Sequence, residues 1–341
     1  MTQSFLSLSF RVWWVPVLAA TVASASFAIG ADTGDLAFFV HSADDLFTGA
    51  WADAYANPDL QIGPLQLFLL ALADAAAGAF SLSTLTLLAF VVPVCVTGLL
   101  LVVLRRFLAD RPERRRSVLV AAGLAAVALG IPTSAYVDGH LAQGLVPLLW
   151  LLAGLYARDG RTLAAGAIVG ASAGFEVWGM LGVVMLLLAP RLRDALAGFA
   201  VQVGVAAALF APFALAGEVR MFDYHWVVNG DTLLSLFVEP GTAFTWWMRV
   251  GQGAAALLVG AALAWPLRRT LHAVWLGPLV VVAVRLALDP VRYPWYWLAL
   301  ETLVLVGAVE LLTGERVRRL RQADRLSSSS ARAPALHARR P

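Results

Sequence analysis

Ten long apolar runs, at 12–30, 63–80, 84–104, 117–131, 141–157, 162–189, 195–213, 246–265, 271–284 and 296–312, fill most of this chain. A helix needs roughly 20 apolar residues to cross the hydrocarbon core of a bilayer, so runs of this size and number leave little choice of architecture. The run 162–189 is broken near its middle by Gly174-Phe175-Glu176 and reads as two short helices meeting outside the membrane. The expected fold is therefore all-α and polytopic, with about eleven hydrophobic segments by the length rule.

Of the 341 residues, 60% are hydrophobic and 14% charged. A soluble domain carries about 25% charged residues, so this chain cannot cover itself with a hydrated surface. All 25 basic residues are Arg, set in short clusters between apolar runs. That pattern orients a membrane protein rather than binding nucleic acid. The absence of Lys beside so much Ala fits a GC-rich bacterial genome. Cys95 is the single cysteine, which excludes an intramolecular disulfide and a thiol-metal cluster. With no Gly-rich phosphate loop, His-Glu-x-x-His motif or Cys/His cluster, no metal ligands are assigned.

The densest Arg cluster comprises Arg105-Arg106, Arg111 and Arg114-Arg115-Arg116. Arg158 with Arg161, Arg191 with Arg193, Arg268 with Arg269 and the tail from Arg316 repeat it. The positive-inside tendency places all five in the cytoplasm with both termini, leaving 132–140, 175–179, 214–245 and 285–295 outside. The first third does not alternate so simply. Residues 31–62 hold six Asp and no Arg and read as outside, yet two full crossings from there would leave Arg105 outside too. Either 63–80 is re-entrant, which requires protein around it, or the rule fails there. The run 12–30 resembles a signal peptide, but the crossings that follow favour a retained first helix. Residues 1–313 are expected to form the membrane domain, and 314–341, rich in Arg, Ser and Ala, a disordered cytoplasmic tail.

Chemistry concentrates in the first outside loop, Ala31-Asp32-Thr33-Gly34-Asp35-Leu36-Ala37-Phe38-Phe39. Asp44 to Trp51 is mixed polar and aromatic, as an interfacial helix is. Tyr55-Ala56-Asn57-Pro58 marks a turn, and Gly63-Pro64-Leu65 opens a helix. Taken singly, such aspartates are more often solvated charges or caps.

Together, Gly34-Asp35-Leu36-Ala37-Phe38-Phe39, Leu46-Phe47-Thr48-Gly49, Tyr55 and Gly63-Pro64-Leu65 resemble the first outside loop of GT-C membrane glycosyltransferases. The likeness is to the polyprenyl-phosphate-mannose-dependent mannosyltransferases. Weaker likenesses are Gly139-His140 at a helix start, Ala165-Gly166 to Gly170, and the last outside loop, Asp289 to Trp297. The resemblance implies transfer of a sugar, mannose or arabinose, from a polyprenyl-phosphate donor to a lipid, glycan or protein acceptor. The reaction would lie on the outer face of the plasma membrane and use no cofactor. It implies Asp35 as catalytic base, with Asp32 the second candidate.

A departing polyprenyl phosphate needs a cation, and the planar fork of Arg suits it. Arg292 is the first candidate and Arg285 the second; Arg220 and Arg249 read rather as interfacial anchors. Two residues depart from the family. Glu176 stands where a Lys is frequent, and Tyr293–Trp297 lacks a His, so His140 or His225 must supply one if it is needed. His140, Glu176, His225 and Tyr296 complete the substrate-binding candidates, although aromatic and basic groups at that depth also serve as membrane anchors. Two other readings compete: a transporter or flippase whose aspartates bind a cation or proton, and a GT-C-like subunit without activity. Transporters often show repeated halves with paired broken helices, whereas this chain has one central break and no internal repeat.

Overall fold

The computed structural model describes residues 12–109, 115–223 and 225–331, with side chains as far as Gly314. Every regular element among them is helical. Eleven apolar helices fall where the apolar runs place them; six are long and apolar enough to cross a membrane, and five are shorter.

Helix α1 (Val15–Phe27) leads into the first loop, which carries α2 (Leu36–Ala43). Then come α3 (Pro64–Ala79), α4 (Thr84–Phe107), α5 (Arg115–Ala128), α6 (Ile131–Val137), α7 (Leu141–Arg158) and α8 (Thr162–Ala173). A 3-10 helix, Val177–Leu188, follows the break at 174–176. The bundle closes with α9 (Leu192–Ala216), α10 (Trp246–Leu267), α11 (His272–Ala287) and α12 (Trp297–Ala331).

Helix α7 is the axis of the bundle. It packs on α4, α6, α8, α11, α12 and the 3-10 helix, and most of it is buried. Its Trp150 is fully buried and donates its indole N–H to Ser172 Oγ (3.2 Å) and to the Gly179 carbonyl (3.0 Å). A buried indole N–H needs such partners, and here they fix the 3-10 helix against α7 and α8. By contrast, α9 and α10 expose Leu192, Leu196, Phe199, Trp247 and Leu258. A chain-long apolar exterior of this kind is stable in lipid, not in water.

The two ends of the bundle differ in chemistry. At one end, Arg106 donates to the Tyr156 hydroxyl (3.1 Å), and Arg158 donates to the carbonyls of Arg268 (3.1 Å) and Thr270. The loops after α4, α7 and α10 therefore meet there, as their shared Arg content anticipates. The loops around 35, 140, 176, 220–250 and 285–296 gather at the other end, around one cleft.

Helix α3 does not follow this alternation. Gly63, just before it, lies at the cleft end, where its N–H donates to the Phe175 carbonyl (2.6 Å). Thr84 at the start of α4 bonds Asp74 of α3, and α4 then runs on to Arg106 at the Arg-rich end. At about 1.5 Å per residue, the 16 residues of α3 are a third shorter than the 24 of α4. It packs on α2, on α4 and on the turn Asp44–Phe47.

Two expectations differ from the structure. In place of one interfacial helix over 44–51 there are 3-10 turns at Asp44–Phe47 and Trp51–Ala56. Thr48 separates them, its hydroxyl donating to Asp45 O and accepting from Ala50 N–H, local bonds that compete with a continuous helix. The tail expected to lack structure from 314 is instead helical to Ala331; residues 332–341 lie outside the described residues. Leu, Arg, Ala and Gln favour helix, and lengthening a helix already begun carries no nucleation cost.

Candidate active site

Asp35 sits at the start of α2, where it caps no backbone N–H. Its carboxylate is held instead from α7: His140 Nε2 lies 3.0 Å from Asp35 Oδ2. The contact depends on Gly139, whose φ of +77° suits glycine and whose absent Cβ would stand 2.5 Å from Leu36 N and 2.8 Å from Thr33 O. Only a residue without a side chain lets the Asp138–His140 turn close on the first loop.

Glu176 arrives by a similar device. The break after α8 runs extended and pairs with the strand-like entry to α3 through an isolated bridge between Ile62 and Glu176. A Cβ at Gly63 would run into the Gly174 carbonyl. Glu176 Oε1 then lies 3.5 Å from His140 Nδ1, and its Oε2 accepts from the Trp178 indole N–H and from Gln143 Nε2 (3.4 Å). The His140 and Glu176 side chains are 15% and 13% exposed, whereas Asp35 is 53% exposed. The buried pair thus presents a carboxylate that solvent and substrate can reach.

Electrostatics follow from this arrangement. The hydrogen bond from His140 holds the Asp35 carboxyl below the usual range, against a smaller opposing effect of burial. Burial disfavours the His140 imidazolium, but the hydrogen bonds and charges of Asp35 and Glu176 outweigh it and push its pKa up to about 9. At neutral pH the pair is therefore an ionised carboxylate on an imidazolium.

A second, cationic group shares the cleft. Asp289, fully buried at the end of α11, accepts from Arg249 Nη1 (3.3 Å) and Gln252 Nε2 (3.2 Å), with Arg285 Nη2 at 4.0 Å. Arg249 lies over the rings of Trp226 and Phe244, and Arg285 over those of Trp178 and Tyr296. Two guanidiniums on one carboxylate leave a net positive charge. Arg285 Nη1 is also buried without a hydrogen-bond partner among the described residues.

Both groups line one cleft of about 620 Å³. Met180, Leu181, Met221, Phe222 and Val250 give it an apolar stretch of wall, and Asp59, Gln61, Gln143 and Gln252 add polar groups. Of the candidates from sequence, Asp35, His140, Glu176, Arg285 and Tyr296 line this cleft. Asp32 does not; it is exposed and accepts from Gly34 N–H in the turn before α2. Arg292 lies in an adjoining crevice of about 210 Å³ that shares Tyr293 and Tyr296 with the cleft, and His225 is exposed away from the cleft lining. Arg220 is engaged by Glu218 and Asp223 at the surface.

Arg249, read as an anchor, is a cleft residue. The pairing of Arg285 with Asp289 four residues on was the available sequence signal for the cationic group. An imidazole from α7 meets the last outside loop, where His140 stacks on Trp295. Among the described residues, no three His, Cys, Asp or Glu side chains are grouped to hold a metal. Compared with protein-family models, curated proteins and solved structures, the chain matches none.

Proposed function

We propose that this chain is a membrane glycosyltransferase that moves a sugar from a polyprenyl-phosphate donor to an acceptor hydroxyl at the outer face of the plasma membrane. One observation carries the reading: an ionised, accessible carboxylate, Asp35, and a buried arginine pair, Arg249 and Arg285, share a single half-apolar cleft. The acceptor hydroxyl gives its proton to Asp35 as its oxygen attacks the anomeric carbon. The bond from that carbon to the phosphate oxygen breaks, and the electron pair leaves with the polyprenyl phosphate. Preorganised guanidiniums meet the charge as it develops.

The surroundings support a lipid-borne donor. Helices α9 and α10, consecutive in the chain, are separated by the 3-10 helix rather than packed on each other. The apolar cleft wall, with Leu181 on that 3-10 helix and Val250 on α10, gives a polyprenyl tail a place to lie. In this reading the Arg-rich end is cytoplasmic. Helix α3 is then a re-entrant helix, packed on α2, the turn Asp44–Phe47 and α4 with Phe68, Leu69 and Leu72 exposed, which places 31–62 and Arg105 on opposite faces. A transport path is less well supported, because Trp150, Leu151, Met185 and Val281 fill the bundle with fully buried side chains.

The test is turnover of labelled polyprenyl-phosphate sugars by the protein in proteoliposomes, with membrane-extracted lipids and glycans as acceptors. Asp35→Asn is expected to cut transfer at least about a hundredfold with the fold intact by circular dichroism. Equal rates for both proteins would remove Asp35 from the reaction.

A further inference from the structure

His140 faces a carboxylate with each ring nitrogen: Nε2 meets Asp35 Oδ2 at 3.0 Å, and Nδ1 meets Glu176 Oε1 at 3.5 Å. A neutral imidazole has one N–H and one lone pair, and the lone pair would oppose one of these carboxylates. The arrangement is satisfied only when both nitrogens carry protons and the ring lies in the plane shared by the two acceptors. Rotation of the ring would break both contacts together.

That plane is set from the last outside loop. The Trp295 indole stacks on His140 with centroids 4.6 Å apart and planes 12° apart, and Phe39 meets the imidazole edge-on at 5.8 Å. Tyr293 stacks on Trp295 at 4.5 Å and 5°. Trp295 is thereby stacked with two protein rings, those of His140 and Tyr293, while it lines the cleft.

We infer that Trp295, backed by Tyr293, is a positioning residue: it holds His140 flat and doubly protonated between Asp35 and Glu176, and so fixes the one oxygen of Asp35 that remains to take a proton. This rests on the proposed transferase reading for what Asp35 does, but not for the state of His140. A cation on an indole face is stabilised most when desolvated, and His140 is largely buried. The charged or titratable groups facing the imidazole are Asp35, Glu176 and, through space, Asp138, with Tyr293 beyond the indole. The elevated proton affinity of the imidazole agrees with this geometry.

The test is nuclear magnetic resonance titration of the histidine-labelled full chain in nanodiscs, with the His140 signal identified by its loss in His140→Gln. Wild type is expected to titrate near 9, Trp295→Leu about one pH unit lower, and Trp295→Phe close to wild type, because a ring face is kept. In transfer assays Trp295→Leu lowers kcat rather than raising KM, and the alkaline limb of its pH profile moves down by the same unit. An unchanged His140 midpoint in Trp295→Leu overturns the inference. If Trp295→Leu fails to fold, Tyr293→Leu replaces it, with a shift in the same direction expected and none contradicting. A shifted midpoint in a protein that transfers no sugar would uphold the positioning role and sink the transferase reading. Transfer with no shift would do the reverse.

Discussion

Arginines gather at both ends of this bundle, and the two groups are built differently. At the Arg-rich end, Arg106, Arg158 and Arg161 are spent on the protein itself. Arg158 donates to backbone carbonyls of the loop 268–270, and Arg106 and Arg161 both lie over the Tyr156 ring, at 4.3 and 4.4 Å. At the cleft end, Arg249 and Arg285 divide a single fully buried carboxylate, and Arg285 keeps a buried N–H group without a protein acceptor among the described residues. Saturated arginines tie helices together. Arg285, with that N–H beside the cleft, has a donor to offer an anion. The residue type is the same; the neighbours decide its use.

The comparison breaks most sharply under substitution. Arg285→Gln removes a guanidinium from the cleft and is expected to lower kcat/KM about a hundredfold in the transfer assay, with the fold intact by circular dichroism. Arg158→Gln is expected to do the opposite. It loses charge-assisted bonds to carbonyls that cap a loop, lowers unfolding stability by about 2 kcal/mol, and leaves the transfer rate per folded molecule unchanged. If Arg158→Gln slows transfer while Arg285→Gln does not, the assignment of the two ends is wrong.

A pH series sharpens the same contrast. The His140 pKa stands at about 9 in the fold, above the ordinary 6.5. The stability it contributes is thus fully present below pH 6.5 and is lost as pH rises through 9. Wild type is expected to lose a few degrees of melting temperature over that window, and His140→Gln none of this share. The smallest effect is expected at Arg292. It sits outside the cleft, so Arg292→Gln should change the transfer rate less than about twofold, as surface substitutions generally do.

Helices were easy to read from sequence, because crossing a bilayer imposes a length that apolar runs display directly. The break at Gly174–Glu176 was equally plain, and Asp35, His140, Glu176 and Arg285 were all visible as polar residues beside apolar helices. What sequence could not show is which of them meet. His140 lies 105 residues from Asp35 and 36 from Glu176, and the contact is made by two close backbone approaches at Gly139 and Gly63. Arg249 and Asp289 are likewise brought together across 40 residues.

Arg292 was the first choice for the phosphate because cations are few in the outside loops. Tyr293 and Tyr296 line both the cleft and the neighbouring crevice, and Arg292 lines the crevice alone. Helix α3 shows the same limit. Its apolar composition is that of a crossing, but its 16 residues fall short of the length one needs.

The most direct test of the cleft's chemistry needs neither the sugar nor the acceptor. Equilibrium binding of a polyprenyl phosphate, the leaving group of the reaction, is measured by tryptophan fluorescence in detergent for wild type, Arg285→Gln and Arg292→Gln. Saturable binding by wild type and Arg292→Gln, weakened at least about tenfold in Arg285→Gln, is the expected result. Binding that survives in Arg285→Gln and is lost in Arg292→Gln would place the phosphate outside the cleft and contradict the account.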